Sequence, residues 1–319
     1  MGRYKGSFCI WNRTCFKYAG CGTVKNQNNF NRSHSLFRVQ EIFMLDFYVD
    51  PEKCIQCGEC ERDCPYGIIE MADGYPEIIK EKETQCIRCQ HCLAVCSTGA
   101  LSIFGKNPED SILLEDNLPS ALQMEILIKG RRSVRSYKKE PVDPETIAHL
   151  LDVVAHCPTG VNNRQLLFTV VEDQQTMDNL RHQTMEGIRK AVQEKSLPPG
   201  FEFFESLLNA WDSGQDIIFR EAPHLLVVST PKGGPSPEPD TLIALSYFEL
   251  LAQSHNLGTV WNGLAKWALT AILPEVPGKL GVPDSHHIGY MMIFGKPAVQ
   301  YYRTVQRGGA HVNRVVWKN

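Results

Sequence analysis

The 319 residues are 43% hydrophobic and 22% charged, a globular composition that excludes a wholly disordered chain and suffices for one large or two smaller domains. No apolar run approaches the roughly 20 residues of a membrane-spanning helix. A net charge of −3 gives no electrostatic case for binding nucleic acid or an anionic membrane.

The chain opens on a basic stretch. Residues 1–43 hold seven Lys and Arg (Arg3, Lys5, Arg13, Lys17, Lys25, Arg32, Arg38) against Glu41, a net +6 that leaves −9 for the remaining 276 residues. The stretch is rich in Asn, has neither helical nor strand periodicity, and lacks the apolar core of a secretory signal. Its readings are a disordered basic arm, an Arg-rich transit peptide, or a spurious extension from a start upstream of the true one. The third is preferred, because Met44 runs straight into Leu45-Asp46-Phe47-Tyr48-Val49-Asp50, the expected first strand of a domain. Cys9, Cys15 and Cys21, six apart, fit no metal-binding spacing.

Residues 44–105 are cysteine-dense: eight of the chain's 12 cysteines fall between Cys54 and Cys96. Cys54, Cys57, Cys60 and Cys64 form a C-x2-C-x2-C-x3-C run followed by Pro65. Cys86, Cys89, Cys92 and Cys96 repeat it, each 32 residues after its counterpart. A cubane iron–sulfur cluster needs a thiolate at each of its four irons. A tight x2-x2 loop wraps three corners, and the fourth thiolate must come from another direction. Zinc typically uses paired CxxC knuckles, to which a third cysteine at the same spacing is surplus. Disulfides need oxidising export, for which no signal is seen. Over its whole length the segment resembles bacterial-type ferredoxins with two 4Fe-4S clusters. In that pattern the last cysteine of each run serves the other cluster, which assigns Cys54, Cys57, Cys60 and Cys96 to one and Cys86, Cys89, Cys92 and Cys64 to the other. Ser97 departs from the pattern, which has proline there. Gly58, Gly67 and Gly99 suit backbone amides approaching sulfur, which tunes potential. Such a pair carries single electrons at low potential.

Residues 106–120 read as a polar linker ending near Pro119. From 121 to 319 helices and strands alternate. Helices are predicted over Ala121–Lys129, closed by Gly130, over Pro144–Ala155 with Asp143 as N-cap, and over the largely apolar Thr241–His255. Leu167–Glu172, Leu225–Thr230 and Ile288–Phe294 read as strands.

No GxGxxG follows a strand, so the nicotinamide fingerprint is missing. Instead Arg131-Arg132-Ser133-Val134-Arg135-Ser136-Tyr137 follows the helix that stops at Gly130. Three guanidinium groups and two serine hydroxyls within its first six residues could clamp a phosphate, since Arg forms forked charge-assisted bonds to its oxygens. Then come Pro158-Thr159-Gly160-Val161-Asn162, Ala222-Pro223 before a strand, Leu257-Gly258-Thr259-Val260-Trp261-Asn262-Gly263, and Gly295-Lys296-Pro297-Ala298 with Arg303 and Arg307 behind it. This ordered set, over about 125–310, resembles the nitroreductase family of FMN-binding proteins. The resemblance implies that Arg131, Ser133 and Arg135 hold the FMN phosphate and ribityl end, with Arg307 adding charge from the C-terminal side. It sets Asn162 against the flavin and passes Trp261, Asn262 and Gly263 over the ring, where a backbone N–H meets N5; a donor there stabilises reduced flavin. Trp261 can also be read as a core aromatic. Arg164-Gln165-Leu166 replaces the family's Gln-Pro-Trp, which alters the contacts to the pyrimidine edge. His156 and His224 read as structural histidines and Cys157 as a packing residue. No protein acid–base residue is assigned; the chemistry is the flavin's.

The expected fold class is α+β: a small ferredoxin-like two-cluster domain followed by an FMN-dependent nitroreductase-like α/β sandwich with a mixed central sheet. The expected function is that of an iron–sulfur flavoprotein oxidoreductase. The two 4Fe-4S clusters would pass electrons to FMN and on to a small organic electron acceptor of nitroaromatic, quinone or enone type. Two alternatives are a relay module serving a protein partner and another flavin reaction, such as dehalogenation, on the same scaffold. The resemblance also implies a homodimer. An external electron-donor protein and a cytoplasmic location complete the expectation.

Overall fold

The computed structural model describes residues 45–317; the basic stretch 1–43, with its expected arm or upstream start, lies outside them. The cysteine-dense segment folds as two short antiparallel pairs and two single-turn helices. Strand β1 (Tyr48–Val49) pairs with β4 (Leu101–Ser102), and β2 (Ile69–Ala72) pairs with β3 (Tyr75–Ile78). The β2–β3 turn is Asp73-Gly74, with φ of 50° and 87°, the left-handed pair that a two-residue hairpin requires. Helices α1 (Glu59–Arg62) and α2 (His91–Ala94) each contain the third cysteine of a run, Cys60 and Cys92.

The 32-residue duplication is written into the backbone. Gln56 and Arg88 have φ of 56° and 58°, Gly58 and Gln90 70° and 60°, and Gly67 and Gly99 55° and 62°. Left-handed residues at matched places turn the chain around each thiol, a conformation that costs a non-glycine residue free energy. Leu45, Ile68, Ile69, Leu93, Leu101 and Ile103 form the small core beneath the loops.

After a 3-10 turn at Pro108–Asp110, the connecting stretch is less polar than expected. Ile112, Leu113 and Leu114 are strongly exposed.

In the large domain, β5 (Leu167–Val171), β6 (His224–Pro231), β7 (Gly258–Trp261) and β8 (His286–Gly295) form one sheet in the order β5-β6-β8-β7. These strands pair antiparallel, and the mixed character comes from a parallel bridge between Ser133 and Thr259 at the β7 edge. Period-two alternation divides the core. Leu225, Val227, Met291 and Ile293 face one layer, which contains α5 (Gln174–Gln193), α6 (Phe204–Asp212), α8 (Gly263–Trp267) and α9 (Val276–Lys279). Leu226, Val228, Met292 and Phe294 face the other, with α4 (Pro144–Val154) and α7 (Pro237–Ser254).

Helix starts follow their caps. Ser120 and Gln123 form a capping box at α3 (Ala121–Gly130), and the Asp143 and Asp173 carboxylates accept from Thr146 and Thr176 amides at α4 and α5. Among the described residues no helix is long and apolar enough to cross a membrane.

Candidate functional site

The eight cysteines of the two runs sort into two rings. One cavity is lined by Cys54, Cys57, Cys60 and Cys96, among Val49, Ile55, Met71 and Leu101. A second is lined by Cys64, Cys86, Cys89 and Cys92, among Ile68, Ile78, Ile87 and Ile103. The two cavities are nearly equal in size. Each run gives three sulfurs to one cavity and its last to the other. The donor chemistry fits a cationic metal cluster. Burial pushes the Cys92 thiol up to about 12 and also raises Cys60 and Cys86, so ionised sulfur there needs bonded metal. Among the described residues no three Cys, His, Asp or Glu side chains converge as a single ion requires; the sulfurs line a volume instead.

Cys96 goes the other way. Burial alone would raise it, but hydrogen bonds from the Ala100 amide, at 3.2 Å, and the Thr98 hydroxyl outweigh that and lower it. The Ser97 departure thus sits beside residues that donate to sulfur.

The second candidate site brings together pieces more than a hundred residues apart. The Val134 amide donates to the Thr259 carbonyl at 2.9 Å, laying the Arg131–Arg135 segment along β7, which leads into Asn262 and Gly263. Gly258 permits that approach: a Cβ there would lie 2.6 Å from the Val134 side chain. Arg135 is exposed and Ser133 half-buried. Arg131 is held by an ion pair, its Nη1 2.8 Å from Glu249 of α7, whose side chain is only 10% exposed. One such bond leaves most of the five guanidinium donors for an anion.

Trp261 is half-buried and meets Tyr290 edge-on, with ring centroids 5.4 Å apart, and both pack against the α4–α7 core layer. Asn262 turns inward. It is 5% exposed, its Nδ2 donates to the Ile218 carbonyl, and its Oδ1 caps α8 by accepting from the Ala265 amide. Its backbone amide is also taken, by Met291 at 2.8 Å, which makes Asn262 the staple of this turn. Gly263 lies over the Tyr290 hydroxyl, 2.7 Å from where a Cβ would sit. Arg303 and Arg307 are in the exposed stretch after β8, and among the described residues no hydrogen bond or ion pair ties either to the Arg131–Arg135 segment.

Asn162 sits in a tight turn. Val161, Asn162 and Arg164 have φ of 46°, 54° and 49°, and the Gly160 amide donates at 2.9 Å to Asp240, which is 2% exposed. From this turn the Asn162 Nδ2 donates to the Ile87 carbonyl at 2.7 Å, between Cys86 and Cys89. His224 is a structural histidine: Nε2 accepts from the Val142 amide, the ring stacks on Phe294, and burial lowers its pKa. Cys157 is 2% exposed and packs in the α4–α7 layer.

Asp240, Glu249 and Tyr290 are the residues that sequence reasoning missed. A signal existed for the two acids, since both are carboxylates within or at the start of a largely apolar helix.

The family pattern described as "Nitroreductase family" matches residues 128–296, just over half of the chain. The chain belongs to the nitroreductase family. In front of that domain, residues 53–101 match the 4Fe-4S dicluster domain, so this member of the family is an oxidoreductase with a two-cluster iron–sulfur domain. It is 29% identical to the iodotyrosine deiodinase of Thermotoga neapolitana over 169 residues, 51% of this chain and 86% of that protein. An uncharacterized protein of Methanocaldococcus jannaschii is 42% identical over 77 residues, 23% of this chain and 27% of its own. The crystal structure of a nitroreductase with bound FMN from Bacteroides fragilis aligns with a TM-score of 0.49 at 20% identity, over 61% of this chain and all of that one.

Proposed function

We propose that this nitroreductase gathers single electrons on its two 4Fe-4S clusters and delivers them in pairs, through FMN, to a small organic acceptor of nitroaromatic, quinone or enone type. The observation that carries this reading is that both modules share one polypeptide and touch, at Asn162 and Ile87. Fusion raises the effective concentration of donor for acceptor without a tight docking surface. When bound, FMN supplies the conversion between one-electron and two-electron chemistry.

Under this reading Cys54, Cys57, Cys60 and Cys96 ligate one cluster and Cys64, Cys86, Cys89 and Cys92 the other. Arg135, Ser133 and Arg131 hold the flavin phosphate and ribityl end. Asn162, Trp261 and Gly263 line the ring, with Asn262 holding their turn in shape. The role of Arg307 falls to a second copy of the chain, in a homodimer. Helix α3 supports that dimer: it buries none of its residues, and Leu122, Ile126 and Ile128 are all more than half exposed.

The identity to iodotyrosine deiodinase over most of that protein's length favours a second reading, reductive dehalogenation. One anaerobic experiment separates the two. The protein, reduced with dithionite, is offered a nitroaromatic, a quinone and an iodinated phenol, with amine or hydroquinone formation and iodide release followed together. Turnover of the first two without iodide supports the leading reading, and iodide release supports the second. Flavin that stays oxidised while the clusters are reduced would end both.

A further inference from the structure

The ferredoxin-like domain offers two rings of thiols, and only their placement can say which one faces the flavin. We infer that the ring of Cys64, Cys86, Cys89 and Cys92 is the one that hands electrons to the flavin, and that the ring of Cys54, Cys57, Cys60 and Cys96 is the one loaded from outside. The inference rests on the flavin reading above and adds an order to it.

Three observations carry it. First, the side-chain Nδ2 of Asn162 donates at 2.7 Å to the carbonyl of Ile87, which is bonded to Cys86 and lies two residues before Cys89. A covalent and hydrogen-bonded route therefore runs from two sulfurs of the second ring into the turn that the family resemblance sets against the flavin. Electron transfer weakens steeply with distance, so this ring has the advantage.

Second, the turn is held for this contact. Val161, Asn162 and Arg164 are all left-handed, at φ of 46°, 54° and 49°, and such residues cost about 1–3 kcal/mol each. The turn is fixed by the Gly160 amide on buried Asp240, by Arg164 Nη2 on the Ala155 carbonyl, and by the Arg164 amide on Thr159 Oγ1. Gly160 is required there: a Cβ would lie 2.7 Å from Ser236 Oγ. Strain that persists under such pinning is a mark of a functional position.

Third, the other ring faces outward. Cys57 is its exposed member and neighbouring Ile55 is 64% exposed, whereas Cys92 of the second ring is 8% exposed and Cys89 half-buried.

The electron balance is simple. With the groups bound, an external one-electron reductant, a low-potential protein or dithionite, would be oxidised as the outer cluster is reduced; the inner cluster would reoxidise the outer one and the flavin would reoxidise the inner. Two such electrons, with protons from water, would reduce the flavin, which would return to its oxidised form as the organic acceptor takes up the pair. Asn162 is a positioning residue in this scheme.

The test uses the full chain, purified without oxygen, with iron and flavin measured in every variant. Flavin bleaching and cluster bleaching are followed separately in a single turnover with dithionite. Cys89→Ala should hold about four irons and still charge its remaining ring, but its flavin bleaching should fall to that of a Cys57→Ala/Cys89→Ala double variant. Cys57→Ala, with the inner ring intact, should bleach its flavin faster than that double variant. Asn162→Asp keeps the shape and removes the donor. It should slow flavin bleaching at least about tenfold with iron content and cluster bleaching unchanged. If Asn162→Asp sheds its flavin, the two ring variants carry the test. Wild-type flavin bleaching in Cys89→Ala, or an unchanged rate in Asn162→Asp that retains flavin, would overturn the order. An unaltered chain without flavin, or with flavin that never bleaches, would instead sink the function proposed above and be read from the wild type alone.

Discussion

At the scale of single residues, buried polar groups show what the site is built on. Glu249 sits in α7 between Phe248 and Leu250, and its carboxylate fixes Arg131 at the head of the Arg131–Arg135 segment. His224 is fully buried on β6 and must be neutral, because Nε2 accepts the Val142 amide. Burial lowers its pKa below the ordinary histidine value. The unfolded chain therefore binds a proton that the folded chain refuses. Stability is fully present above the unfolded histidine pKa, about 6.5, and is lost as pH falls through the folded value. Thermal unfolding between pH 7.5 and 5 should reveal this as a falling Tm with a shallower slope in His224→Gln. Equal slopes would assign the pH dependence elsewhere. The histidine's structural role was legible, since its place at the head of an apolar strand leaves no solvent for a charge. The pairing of Arg131 with Glu249 was not, because spacing says nothing about which of three neighbouring arginines turns inward.

At the scale of elements, the cysteine spacing carried the most information. A 32-residue repeat of residue types is also a repeat of left-handed backbone at 56 and 88, 58 and 90, and 67 and 99, because a chain that surrounds a cluster has few ways to turn. Helix α5 is the opposite case. Its 20 residues include Met177, Leu180, Arg181, Thr184, Met185 and Ile188, all buried at helical spacing, yet charged and polar residues conceal the stripe. Arg181 anchors that helix: it bonds Asp178 and the Ala222 carbonyl and pairs with Asp216, whose side chain is 5% exposed. Removing one partner strands a buried charge. Arg181→Met should lose about 3–5 kcal/mol in denaturant unfolding, and adding Asp216→Leu should recover part of it. A loss near zero would mean the pair is solvated. Gly160→Ala tests the turn beside it. The new Cβ meets Ser236 Oγ and Cβ at 2.7 and 2.9 Å, so about 1–3 kcal/mol of overpacking is expected, read from the same unfolding midpoint.

At the scale of the whole molecule, the surface raises a question that its interior does not. The large domain has two well-formed core layers, yet Leu122, Ile126 and Ile128 on α3, Ile112, Leu113 and Leu114 before it, and Val312, Val315, Val316 and Trp317 near the end are exposed. Scattered apolar side chains are ordinary on a surface, but a helix with no buried residue owes its apolar content to something else. A second copy of the chain would cover it, and would add charge to the proposed phosphate clamp, in which Arg131 is already paired with Glu249. The ferredoxin-like domain has no such need, because both rings of thiols are completed within one chain. Dimer and clusters should therefore separate on mutation. Leu122→Glu with Ile126→Glu should convert a dimer to a monomer in sedimentation equilibrium and release FMN, while iron stays near about eight atoms per chain, two four-iron clusters' worth. A variant that stays dimeric, or a monomer that retains its flavin, would place the interface elsewhere. Iron lost together with FMN would mean that the two modules depend on each other for folding as well as for electrons.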